Sequence, residues 1–178
     1  AYAALSSEPP APKDDATKFK LEEKHPGARH RIPPPVTPPA VPPLIDGSVV
    51  HDAVMSFPRG SSGGTFGLRP EFLKTFLAQQ TASGTMACLT SVVNHMVAGK
   101  LPDGTRRYFA GASLTALQKK QGGVRPIAAG ETVRRLVSKC VCAQIKTRAA
   151  DYFKPYQFGV AAPCGIERVI HSARRQFD

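Results

Sequence analysis

Proline is unevenly spread along the chain: 11 of its 17 prolines fall in residues 1–46. Proline locks φ and lacks an amide hydrogen, so this segment is expected to form neither a helix nor a central strand. It includes Ile32-Pro-Pro-Pro-Val-Thr-Pro-Pro39 and Val41-Pro-Pro43. The segment reads as an extended, polyproline-like, disordered linker, with a ligand for a proline-reading domain as the alternative. Its six basic and six acidic residues cancel. The folded part is therefore expected over residues 47–178.

The formal net charge of +11 lies in that second part, where residues 51–178 carry 18 basic and 7 acidic side chains. It is densest over residues 106–148, with ten Lys or Arg and one acid, Glu131. An ordinary solvated surface mixes signs, so this asymmetry points to a polyanionic partner, nucleic acid above all. Hydrophobic residues make up 42% of the chain, enough for a core, and no apolar run is long enough to span a membrane. The first residues do not read as a signal peptide, and without an initiator Met the chain is expected to be a piece of a longer product. Cys88, Cys140, Cys142 and Cys164 have neither disulfide-scaffold nor zinc-ligand spacing and read as buried or half-buried thiols of a reducing compartment.

The periodicity predicts an α+β unit of helices packed on a small antiparallel hairpin. Phe72, Leu73, Phe76 and Leu77 repeat at helical spacing, as do Leu89, Val92, Val93, Met96 and Val97 before a stop at Gly99. Phe72, Phe76, Met86 and Met96 read as core. Residues 112–118 alternate as a strand, Lys120-Gln-Gly-Gly123 turns the chain, and residues 124–128 return, with Pro126 at an edge. A helix follows over 131–149. Val133, Leu136, Val137, Cys140, Val141 and Gln144 form one face, and Arg135, Lys139, Cys142 and Lys146 another. A last helix over 165–177 is expected to bury Ile166, Val169, Ile170, Ala173 and Phe177.

The hairpin carries the clearest chemical signal. Lys119 and Lys120 end one strand and Arg125 opens the next, so three cations gather round a glycine tip, a grouping suited to a triphosphate. Other residues receive plainer readings. Gly60-Ser-Ser-Gly-Gly64 lacks the Gly-Lys-Ser/Thr ending of a P-loop. His25, His30, His51 and His95 have no partner pattern, Asp14-Asp15 reads as solvated charge, and Arg106-Arg107 is as well explained by solvation as by phosphate contact.

Lys119-Lys-Gln-Gly-Gly-Val-Arg-Pro-Ile127, followed by Arg134-Arg-Leu-Val-Ser-Lys139, resembles the second conserved block of reverse transcriptases of the non-LTR (LINE-like) retrotransposon type. Ser56-Phe-Pro-Arg-Gly-Ser-Ser-Gly-Gly-Thr-Phe-Gly-Leu-Arg-Pro-Glu-Phe-Leu73 resembles the first block, a glycine-rich loop leading into a helix. Pro155-Tyr-Gln-Phe-Gly159 and Cys164-Gly-Ile-Glu-Arg-Val-Ile-His171 resemble the segment before the first catalytic strand. The three blocks stand in order over about residues 49–178.

The resemblance implies the fingers and start of the palm of a right-hand polymerase, part of an RNA-directed DNA polymerase. Lys119, Lys120 and Arg125 would then bind the incoming deoxynucleotide. Arg134, Arg135, Lys139 and Lys146 would track the RNA template or DNA primer, with Gln157 and Gly159 near the templating pocket. It also implies Mg2+ for the intact enzyme and an intracellular location, with the nucleus as one option. Two departures stand out. The family's first block reads Gly-Pro-Asp-Gly where this chain has Gly64-Thr-Phe-Gly67. The carboxylates that would hold two metal ions are missing too, and Asp178 is not assigned to a metal. No catalytic or metal-binding residue is expected here, and the chain alone is expected to be inactive. A non-catalytic nucleic-acid-binding remnant and a structural fragment whose linker recruits a partner are the alternatives.

Overall fold

The computed structural model describes residues 9–25, 41–79 and 82–177; the proline run at 32–39, His30 and Asp178 lie outside them. The described residues form α1 (Asp15–Lys24), α2 (Gly47–Met55), α3 (Pro70–Leu77), α4 (Ala82–Val97), α5 (Asp103–Ala110), β1 (Ala112–Gln118), β2 (Val124–Gly130), α6 (Thr132–Phe153) and α7 (Gly165–Phe177). The chain is thus a mixed α+β unit whose one sheet, among these residues, is the antiparallel β1–β2 pair.

The main core is helical. Val50, Ala53 and Val54 of α2 are buried, and α2 packs on both α4 and α6. Val93 of α4 and Leu136 and Cys140 of α6 meet this face, and Ile45, Phe57 and Leu77 close it. Leu136 and Cys140 are one turn apart, so one stripe of α6 is fully buried, with Val133, Val137 and Val141 half-buried beside it. Burial pushes the Cys140 thiol above its ordinary range. Amides fasten the approach to α2. Asn94 Oδ1 accepts from the Ile45 amide at 2.8 Å and its Nδ2 donates to the Ile45 carbonyl at 2.9 Å. Gln144 Nε2 donates to the Leu44 carbonyl at 2.9 Å.

A second, smaller cluster lies under the hairpin, where Ala11, Ala116 and Val124 are buried with Leu21 packed against them. Here the structure corrects the expectation for the proline-rich segment. Residues 15–24 are helical because no proline falls between Pro12 and Pro26, and Asp14 Oδ1 caps the helix by accepting from the Thr17 amide at 2.7 Å. Pro9–Ala11 also lie along the outer edge of β1: Ala11 N–H donates to the Ala116 carbonyl and Gln118 N–H to the Pro9 carbonyl, both at 2.9 Å. Proline is tolerated there because its missing donor falls on the edge of the sheet.

Other expectations also change. The stripe Ile166, Val169, Ile170, Ala173 and Phe177 is exposed rather than buried, because no described element packs substantially against that face of α7. Phe72 and Phe76 are each 50% exposed; Leu73 and Leu77 take the core side of α3. Gln144 is exposed, and Cys88, Cys142 and Cys164 are exposed free thiols. β2 runs to Gly130 and α6 to Phe153, both beyond the predicted ends, while α2 and α5 had no counterpart in the periodicity reading.

Candidate nucleic-acid interface

The hairpin register fixes where its cations stand. Leu117 pairs with Arg125 and Gln118 with Val124, and Lys119 N–H donates to the Gly123 carbonyl at 3.1 Å. Paired residues share a face and strand neighbours alternate, so Lys119, Leu117 and Arg125 belong to one face of the ribbon. Ala116 and Val124 belong to the other, packed towards α1. The turn closes through Gly122 N–H to the Lys119 carbonyl at 3.1 Å, and Gly122 and Gly123 both take positive φ, 86° and 84°. Glycine reaches that conformation without a Cβ clash. Lys119 and Lys120 are exposed; Arg125 is half-buried and is not a free cation.

β2 passes into α6 through Gly130 and Glu131, and the next group of cations rides on this helix. Arg134 Nη1 donates to the Ala110 carbonyl at 3.1 Å, at the end of α5. Arg135 turns towards the glycine-rich loop. Its Nη2 donates to the Ser62 carbonyl and, at 3.0 Å, to Thr132 Oγ1. Its guanidinium carbon lies 5.6 Å from the Phe57 ring centre, and its Nε is buried without a partner. Lys139 Nζ donates to Ser56 Oγ at 3.0 Å and lies 4.9 Å from the same ring centre. Arg134, Arg135 and Lys139 line one hollow with Phe57, Ser61 and Ser138. Lys139 and Lys146, two turns apart, line a groove of about 620 Å³ between α2 and α6.

The glycine-rich loop is held by two carboxylates to which the sequence reading gave no such role. Glu71 Oε1 accepts from the Gly60 amide at 2.7 Å, and Glu131 Oε1 accepts from the Phe66 amide at 3.0 Å. Glu71's own amide, with those of Gly60 and Ser61 and the Lys74 charge, holds its carboxyl below the usual range. Thr132 Oγ1 donates to the Leu68 carbonyl, a third tie to the start of α6. The turn at Gly64–Gly67 closes with Gly67 N–H on the Gly64 carbonyl at 3.0 Å, so it forms without an Asp at position 66. A Cβ on Gly64 would meet Glu131 Cα at 2.6 Å, which is why the loop comes this close only as glycine. The available sequence signal was position: Glu131 is the one acid among the cations and it opens a helix.

The remaining predicted residues lie elsewhere. Gln157 and Gly159 are exposed in the loop between α6 and α7, where Gln157 Oε1 accepts from the Gly159 amide. Arg106 and Arg107 are engaged locally, on the Gly99 carbonyl at 3.2 Å and the Tyr108 hydroxyl at 3.0 Å. Among the described residues no three His, Cys, Asp or Glu side chains gather in one place. No protein-family model matches the chain, and no curated protein matches it.

Proposed function

We propose that the chain is the fingers and palm-entry region of a retrotransposon-type RNA-directed DNA polymerase, binding nucleotide and template without carrying the catalytic carboxylates. The observation that supports this most is the fate of Glu131. It is the one acid among the ten cations of residues 106–148, and it is 3% exposed, turned inward on the glycine loop. What that stretch shows to water is therefore of one sign. Lys119, Lys120 and Arg125 act at the nucleotide phosphates. Arg134, Arg135, Lys139 and Lys146 neutralise a nucleic-acid backbone, with Gln157 and Gly159 beside the template.

Binding of this kind releases counterions and weakens steeply with salt. The test is fluorescence anisotropy of a labelled RNA–DNA hybrid. With four backbone contacts, the logarithm of affinity should fall with a slope of about −3.6 against the logarithm of salt concentration. An affinity that stays flat would overturn the reading. A pure preparation of the chain should not extend a primer on an RNA template with magnesium.

A further inference from the structure

The chain has no tryptophan and four tyrosines, and two of those tyrosines stand in the open at the end of α6. Tyr152 is 83% exposed and Tyr156 is 91% exposed. Rings left this far in water contribute little to the core, so folding does not account for them. Tyr152 meets Phe153 edge-on, with ring centres 5.2 Å apart and planes at 81°. This contact orients the tyrosine ring and leaves most of its surface accessible.

Arg148 stands one turn before Tyr152 and lines the same hollow of about 510 Å³, with Ile145, Ala149 and Phe153. It is exposed and has no hydrogen-bond or ion-pair partner among the described residues. Lys154 nearby differs, being paired with Asp151 at 3.0 Å. The hollow therefore joins an apolar floor, an oriented aromatic ring and a guanidinium with no partner among the described residues.

We infer that Tyr152, with Arg148 beside it in the hollow, forms a stacking platform for the unpaired bases of a single-stranded nucleic acid, and Tyr156 is a second exposed ring four residues further along the chain. The inference rests on the nucleic-acid reading above and adds a base contact to its phosphate contacts. Every base has a π-face for the ring, and its phosphate suits the guanidinium. In a duplex those faces are already stacked on neighbouring bases, so the platform selects single strands. Charge complementarity favours this occupant over a second protein, because a cation flanks the rings.

The test uses the full chain and two labelled oligomers of equal length and charge, an oligothymidylate and one whose nucleosides are all abasic spacers. The oligothymidylate should bind at least about fivefold more tightly, since one stacked base contributes a factor of that size or more. It should also quench the tyrosine emission, which no tryptophan masks. Y152A with Y156A should bring the two affinities together, Y152F should keep them apart, and R148Q should weaken both oligomers. Equal, salt-dependent binding of both by the unaltered chain overturns the platform and leaves the phosphate reading standing. Binding of neither overturns both. A preference that survives Y152A with Y156A also overturns it, as does self-association abolished by Y152A, which would put a second copy on this face.

Discussion

Arg135 and Lys146 carry the same charge on the same helix, but one is tied into the fold and the other is not. Arg135 bonds the Ser62 carbonyl and Thr132 and lies against Phe57, whereas Lys146 is exposed with no side-chain partner among the described residues. Arg135→Gln should therefore destabilise the chain by about 1–3 kcal/mol, the range for stranding buried hydrogen-bonding groups. Lys146→Gln should stay within about 0.5 kcal/mol and reduce the salt slope of binding by just under one. Urea unfolding and a salt titration measure the two effects, and equal destabilisation by both variants would contradict the distinction. Sequence could assign both residues to a cationic face. It could not show that Arg135 was pinned, because its partner at Ser62 is a backbone carbonyl in a distant loop, and a carbonyl has no residue signature.

The elements divide by how local their determinants are. The hairpin was legible because two-residue alternation and a glycine pair are written in consecutive residues, and α6 because its apolar stripe is long. α1 was hidden by the high proline density of its surroundings, although the segment from 13 to 25 contains none. α7 was legible as a helix but not as an exposed one, since burial depends on what lies opposite and not on the helix's own pattern. Two predictions belong at this scale. Lys119→Gln with Lys120→Gln should leave the melting temperature unchanged, because the hairpin is held by its register, its glycine turn and the Pro9–Ala11 edge rather than by its exposed cations. Asn94→Ala removes both bonds that fix Ile45 above α2 and should cost about 1–3 kcal/mol by denaturant unfolding. A silent Asn94 variant would mean that burial of Ile45 alone fixes this joint.

At the scale of the whole molecule, three carboxylates sit where one part of the chain is fastened to the next. The Thr17 amide and then its hydroxyl hold the Asp14 carboxyl low at the start of α1. The Ser48 hydroxyl and then its amide do the same for Asp46 at the start of α2. Glu71, held low first by its own amide and then by those of Gly60 and Ser61, ties the glycine loop to α3. A carboxyl whose folded pKa is depressed stabilises the fold fully above its unfolded pKa, and loses that contribution as pH falls through the folded value. Melting temperature should therefore be level with respect to these groups from neutral pH down to about pH 5 and fall below about pH 4, where the ordinary carboxylate range ends. Over the same interval the net positive charge rises as acids are neutralised, so repulsion among the cations of α6 and the hairpin adds to the loss. Added salt should then recover part of the melting temperature at acid pH by screening that repulsion, while leaving the lost caps lost. Thermal melts at pH 3, 4, 5 and 7, each at low and high salt, separate the two contributions. A melting temperature unchanged at pH 3 would show that these joints do not depend on their carboxylates, and one restored completely by salt would assign the whole acid effect to repulsion.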